Sequence, residues 1–314
     1  MSLKIAYYGN CWMTNLGEAF IDIGAIELLK QALPESEIII ITPMSHYYNN
    51  ALRLKSRKVL TSRAKCFRDA AHLGVYIKAD VFVMSGMYAT EEYLHTGSAT
   101  YWVDEFLKTH PDVKVLFMGI GGNHYNSEET EAFLGYIKEK INLAGIISRD
   151  NETYKSYKDL LPNCHAGIDC AFFVSDVYNP CGFSAKDYIV STFSNMPEPE
   201  IIRSINTEVI RPQHMFYDAK YDARIKNFFI SDTPYDYLSL YSNAREVHTD
   251  LVHATIVSLS YNIKVKYYND SKRSSAFEAA GAIKDSQGYL HVPRETIDER
   301  KRNMKDIVSK LLSP

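Results

Sequence analysis

The sequence predicts an α/β protein made of two Rossmann-like lobes with parallel sheets. Three observations carry that prediction. Short β-like runs alternate with segments of helical period along most of the chain. The early strand candidates carry continuous apolar runs, as strands of a parallel sheet covered on both faces do. The alternation also breaks near residues 176–186 and then restarts. At 314 residues, two domains of ordinary size are the expectation. We place a first lobe at 1–176, a second at 187–290 and a closing helix at 295–314, free to pack on either lobe.

Each element has its own signature. Leu3–Tyr8 reads as a strand ending at Gly9. Ala19, Phe20, Ile23, Ile26, Leu29 and Leu33 then recur at steps that fit one helix face, and Pro34 closes it. Glu37–Thr42 contains four consecutive isoleucines and reads as a strand of a sheet covered on both faces. Asp80–Ser85 and Val113–Met118 follow, each ending near a glycine. Ser127–Ile141 is helical, Ala144–Ser148 a strand, and Ile168–Ser175 strand-like. Val177–Ser184 reads as linker. In the second lobe Asp187–Phe193, Thr207–Ile210, Asn227–Ser231, Arg245–His248 and Ile263–Tyr268 are strands. Helices are predicted after the Pro197/Pro199 pair, at Pro234–Ser242 and at Leu251–Asn262. Met304, Ile307, Val308, Leu311 and Leu312 mark a final helix.

Composition narrows the function. Lys and Arg total 35 against 38 for Asp and Glu, a net charge of −3. That balance gives no reason to expect DNA or RNA as a partner. The 5 cysteines, Cys11, Cys66, Cys164, Cys170 and Cys181, form an odd set without a C-x-x-C pair. A disulfide framework and a zinc ribbon are therefore both disfavoured. No metal site and no cofactor are expected. The N-terminus carries no signal-peptide pattern, and the apolar run at Leu251–Ile263 is too short to cross a bilayer. A soluble, cytoplasmic protein is expected. Tyrosine is abundant at 23 residues, which compositional bias explains more simply than a sugar-stacking surface.

Ligands of doubly wound sheets bind beyond the carboxyl ends of the strands, so the residues just after strands carry the functional reading. Asn15 and Gly17 follow the first strand. They suit a helix start or a ligand hydroxyl, and the spacing is not the dinucleotide fingerprint. Gly119-Ile120-Gly121-Gly122-Asn123 brings backbone N–H groups towards the crevice or simply makes a tight turn. Arg149 follows the Ala144–Ser148 strand, where a planar guanidinium suits a carboxylate or phosphate. Asp150, next to it, is a helix cap first and a catalytic candidate second. Thr249-Asp250-Leu251-Val252-His253 runs from strand into helix, and the first-turn amides make an anion site. His253 lies about one turn in, while Asp250 reads as the N-cap turned away from the ligand. Lys272 and Arg273 precede a further helix and add two cations.

In this order the segments resemble the polysaccharide pyruvyl transferase family. The resemblance rests on Asn15-Leu16-Gly17-Glu18, Gly119-Ile120-Gly121-Gly122 and Ser148-Arg149-Asp150-Asn151-Glu152-Thr153-Tyr154. It also includes Gly167-Ile168-Asp169-Cys170-Ala171 and Thr249-Asp250-Leu251-Val252-His253-Ala254. It covers roughly residues 4–285. It implies a fold like the two-lobe (GT-B type) glycosyltransferases and a reaction in which phosphoenolpyruvate donates a pyruvate ketal to two hydroxyls of a glycan or its precursor, releasing phosphate. By that resemblance Arg149 holds one anionic group and the helix start at Leu251, Val252 and His253 the other, with His253 the first candidate for a proton role. Asp169 and Asp150 are further catalytic candidates. The loops at Asn15, Gly17, Gly121, Gly122 and Asn123 lie on the acceptor side. Family members commonly carry Arg where this chain has Leu251. Lys272 or Arg273 then substitutes, the donor differs, or turnover is weak. Two alternatives stay open: a glycosyltransferase using a nucleotide sugar, and a non-catalytic family member that binds an anion or glycan.

Overall fold

The computed structural model describes residues 2–9, 15–41, 77–89, 106–180, 187–214, 226–231 and 233–313. The expectations on Asn10–Thr14, Thr42, Cys11, Cys66 and Cys181 lie outside these.

The first sheet is built from β1 (Lys4–Tyr8), β2 (Glu37–Ile41), β3 (Val81–Ser85), β4 (Lys114–Ile120), β5 (Leu143–Ser148) and β6 (Cys164–Ala166). All pairings are parallel, in the order β2-β1-β3-β4-β5-β6. The isoleucine run forms the edge strand among the described strands of a sheet covered on both faces, and at that edge Ile40 is 46% exposed. The strands alternate as a two-faced sheet demands. In β4, Leu116 and Met118 join one core, while Val115 and Phe117 join a second core on the opposite face with Phe82 and Phe133. Helix α1 (Leu16–Ala32) starts where the Asn15 side chain accepts the Gly17 N–H. Helices α2 (Ser127–Lys140) and α3 (Asn151–Tyr157) follow β4 and β5.

One strand expectation fails. Ile168–Ser175 is not extended: Cys170–Phe173 form a 3-10 turn that continues into α4 (Val174–Val177). Asp169 caps the turn by accepting the Ala171 N–H at 2.9 Å, and the run is buried among α1 and the second lobe's principal helix. A short run buried on all sides has no polar face, so periodicity does not separate strand from helix.

The second sheet contains β7 (Tyr188–Thr192), β8 (Glu208–Pro212), β9 (Phe228–Phe229), β10 (Val247–Thr249), β11 (Val265–Tyr267), β12 (Ile283–Lys284) and β13 (Leu290–His291). Its order is β12-β13-β11-β10-β7-β8-β9. The β9-to-β11 portion is parallel, as expected, and β12 and β13 add an antiparallel edge. Helices α5 (Glu200–Arg203), α6 (Pro234–Ser242), α7 (Val252–Ser260) and α8 (Ser275–Ala279) accompany it. The last helix, α9 (Arg294–Leu312), packs on α1 and β5, so it returns to the first lobe. Met304, Val308 and Leu312 fill the same core as Phe172 and Ile256. The buried Lys301 ammonium holds Asp176 at 2.6 Å at the end of the first lobe. Among the described residues no helix is long and apolar enough to cross a membrane.

Candidate active site

Both sheets have a point where successive crossovers leave in opposite directions. In the first it lies between β1 and β3, in the second between β7 and β10. Such points open the crevice that ligands use. A cavity of about 270 Å³ lies there, lined from the first lobe by Asn15, Gly17, Tyr88, Tyr125, Arg149 and Asp150 and from the second by Asn195, His214, Asp250, Leu251, Val252, His253, Asn269, Ser271, Arg273 and Ala276.

Arg149 enters it directly after β5. Its side chain is almost wholly buried, and Nη1 donates to the Gly86 carbonyl at 3.4 Å and to Asp169 Oδ2 at 3.4 Å. Burial alone would make the guanidinium easier to deprotonate. Asp169 foremost, with Tyr88, Asp150 and Tyr125, outweighs that and keeps the cation firmly charged. From the second lobe, His253 Nε2 lies 3.8 Å from the same Asp169 Oδ2. That is too long for a hydrogen bond, and among the described residues this buried nitrogen has no hydrogen-bond partner. Burial pushes the Asp169 carboxyl up, but His253, Arg149 and the Ala171 N–H together hold it below the usual carboxylate range. Asp169 thus stands behind Arg149 and His253 and is not itself part of the cavity wall.

Gly17 belongs to the same arrangement. A Cβ at this position would lie 2.1 Å from His253 Nδ1. The first turn of α1 therefore has to be bare for the imidazole to sit where it does.

Asp250 is not the N-cap. Its carboxylate accepts the N–H groups of Ser194 at 3.0 Å, Asn195 at 2.7 Å and Met196 at 2.9 Å. It thereby ties the loop after β7 to the loop after β10 across the switch point. The cap of α7 is Leu251, which makes no side-chain capping bond. Among the described residues the amides of that first turn consequently have no side-chain acceptor and stay available to an anion.

Asp150 is the cap expected of it. It accepts the Thr153 N–H at 2.7 Å, the Thr153 hydroxyl at 3.0 Å and the Tyr125 hydroxyl at 3.3 Å. Burial pushes its carboxyl up despite these bonds. The glycine loop serves packing. Gly121 N–H donates to Met87 and Gly122 N–H to the Thr153 hydroxyl, so neither amide is left for an anion. A Cβ on Gly121 would lie 2.5 Å from Arg149 Nε. Asn123, Gly121, Gly122 and Lys272 fall outside the cavity wall, whereas Asn15, Gly17, Arg149, Leu251, Val252, His253 and Arg273 are in it.

Several wall residues escaped the sequence reading. Tyr125 has φ 55°, a rare conformation for a bulky side chain. Glu129 holds it there by accepting the N–H groups of Asn123, His124 and Tyr125. His214 is buried, bonds its Nε2 to the Tyr241 hydroxyl and sits edge-on to Phe20. Burial, with the charge of His253, pushes its pKa down to about 3. Tyr88, Asn195, His214 and Asn269 all lie one to three residues beyond a strand. The rule that selected Arg149 would have flagged them, but they sit among polar residues with no other signal. Among the described residues no group of three or more His, Cys, Asp and Glu is arranged to hold a metal.

The fold has wide company. UDP-bound MnaA of S. aureus matches with a TM-score of 0.57 at 11% identity, over 99% of this chain and 91% of that one. The UDP-N-acetylglucosamine 2-epimerase of Rickettsia bellii matches at 0.54 and 12%, over 98% and 88%. The Neisseria meningitidis UDP-GlcNAc 2-epimerase bound to UDP-GlcNAc matches at 0.52 and 11%, over 98% and 94%. At such identities the likeness concerns the two-lobe α/β architecture alone. No curated protein is significantly similar in sequence. Residues 15–265, which contain Asn15 and the start of α1, the glycine turn, Arg149, Asp169 and the start of α7, match the polysaccharide pyruvyl transferase family, and the chain belongs to that family.

Proposed function

We propose that the protein transfers the pyruvyl group of phosphoenolpyruvate to a pair of hydroxyls on a glycan or glycan precursor, in the cytoplasm where that donor is made. The carrying observation is that Arg149 and the uncapped start of α7 with His253 face one cavity from opposite lobes. In the reaction the enol methylene takes a proton and the carbon bearing phosphate becomes electrophilic. One sugar hydroxyl adds there, the second displaces phosphate, and the ketal closes. Of the two hydroxyl protons, one replaces that given to the methylene and the other leaves with phosphate.

Two anion holders and one proton donor are what this chemistry needs. Arg149 takes one anionic group, the α7 amides at Val252 and His253 the other, and the His253 imidazole supplies the proton. Asp169 acts through Arg149 and His253, and Asp150 through the cap of α3, so we assign both to positioning. Asn15 and Gly17 lie on the acceptor side. A cavity of about 270 Å³ suits a small doubly charged metabolite better than a whole nucleotide sugar.

Phosphate release and ketal formation should be measured by mass spectrometry after incubation with phosphoenolpyruvate and a panel of glycan acceptors. Release that depends on an acceptor and vanishes in His253→Ala is expected. Thermal stabilisation by nucleotide sugars and none by phosphoenolpyruvate would overturn the proposal in favour of a glycosyltransferase. Stabilisation by phosphoenolpyruvate with no turnover on any acceptor would favour a binding-only protein.

A further inference from the structure

Two guanidinium groups from opposite lobes address one aromatic ring inside the cavity. Arg149 Cζ lies 5.2 Å from the Tyr88 ring centroid, and Arg273 Cζ lies 4.6 Å from it. The two cations are therefore at most about 10 Å apart, within roughly one Debye length even in salt solution, and the buried setting of Arg149 screens them less. Arg149 is compensated by Asp169. Among the described residues Arg273 has no carboxylate within ion-pair distance. The two acids in the wall are already engaged, Asp150 by Thr153 and Tyr125, and Asp250 by three loop amides. Among the described residues the cavity thus holds one guanidinium without an ion-pair partner, on the lobe whose helix start has the apolar Leu251 as its cap.

We propose that Arg273 joins the α7 amides as the second-lobe clamp for a compact dianion and that Tyr88 is the positioning residue that sets its separation from Arg149. A guanidinium paired bidentately with an oxyanion stands roughly 4 Å from the anion's centre. Two such cations, held apart by one ring, leave only a few ångströms between the anionic groups they grip. That gap fits a molecule with phosphate and carboxylate on the same carbon and excludes the two ends of a longer diacid. The Tyr88 face meanwhile lowers the cost of bringing two cations together before the ligand arrives. The identity of the dianion as phosphoenolpyruvate rests on the function proposed above; the division of labour between the lobes does not.

The test is calorimetric titration of the full chain with phosphoenolpyruvate, inorganic phosphate and pyruvate, using the wild type, Arg273→Met, Tyr88→Leu and Tyr88→Phe. Thermal unfolding of each variant serves as the folding control. Arg273→Met should bind phosphoenolpyruvate at least 30-fold more weakly, while its affinity for the single anions changes less than 5-fold. Tyr88→Leu should lose about 10-fold, and Tyr88→Phe, which keeps the ring face, should recover most of that loss. Binding of phosphoenolpyruvate by Arg273→Met within 2-fold of wild type would overturn the clamp. Equal affinities for Tyr88→Leu and Tyr88→Phe would overturn the spacer. Failure of the wild type to bind phosphoenolpyruvate at all would instead sink the proposed donor, a result these variants cannot mimic.

Discussion

Gly17 and His253 meet at the first turns of two helices from different lobes, so closely that a methyl group on the glycine would lie 2.1 Å from the imidazole Nδ1. The absence of a side chain in α1 therefore sets the place of a ring in α7. A Gly17→Ala substitution keeps helix propensity and should act on the ring. If His253 supplies the proton as proposed, turnover should fall about 100-fold, as for a catalytic group displaced by an ångström, with folding stability lowered by only about 1–3 kcal/mol. Steady-state kinetics alongside urea unfolding checks this, and an unaltered turnover would contradict it.

Asp169 faces Arg149 and His253 with the same oxygen. Asp169→Asn keeps an acceptor for the Ala171 N–H but removes the charge, leaving the Arg149 cation buried and unpaired. Breaking a buried pair from one side costs about 3–5 kcal/mol, and urea unfolding at neutral pH should show a loss of that order. Because its neighbours hold the wild-type carboxyl below its ordinary range, its contribution is complete above about pH 4 and disappears as acid titrates it. The difference between wild type and Asn variant should shrink accordingly as pH falls.

His214 titrates with the opposite chemistry and the same sign. Its folded-state pKa is pushed down to about 3, whereas an unfolded histidine takes a proton near pH 6.5. Between those values the unfolded chain binds more protons than the folded one, so stability falls as pH drops through that window. In the folded protein its Nε2 shares a hydrogen bond with the Tyr241 hydroxyl. Thermal midpoints followed from pH 7 to pH 4 should decline in the wild type and decline less in His214→Leu. Parallel curves would contradict the assignment.

Asp250 joins the loops after β7 and β10 through three backbone bonds. Asp250→Ala strips those amides of their acceptor and should cost at least about 2 kcal/mol. Hydrogen exchange at residues 194–196 should accelerate together, while exchange in the first sheet stays unchanged. Unaltered protection of these amides would show that something else holds the loop.

The wall was legible in part. Arg149, His253 and Asn15 follow strands and carry chemistry that a strand end makes useful, so position and residue type agreed. Asp250 misled, because a carboxylate just before a helix reads as a cap, and nothing local reveals that the amides it accepts lie more than fifty residues earlier. The turn at Cys170–Phe173 misled for a related reason: complete burial erased the polar face that would have distinguished it from a strand. Tyr88 and Tyr125 gave no signal among many tyrosines, since a ring becomes a wall only when another lobe faces it.

The chain's own order of residues determined the βα alternation, the two lobes and the strand ends where ligands gather, because periodicity and turn chemistry act over short separations. Tertiary structure alone decided that Asp169 stands behind both Arg149 and His253, that α9 returns to the first lobe, and that Arg273 reaches the ring that Arg149 also addresses. Those are contacts between segments far apart in sequence. Their geometry depends on how two packed sheets meet, which no local pattern encodes.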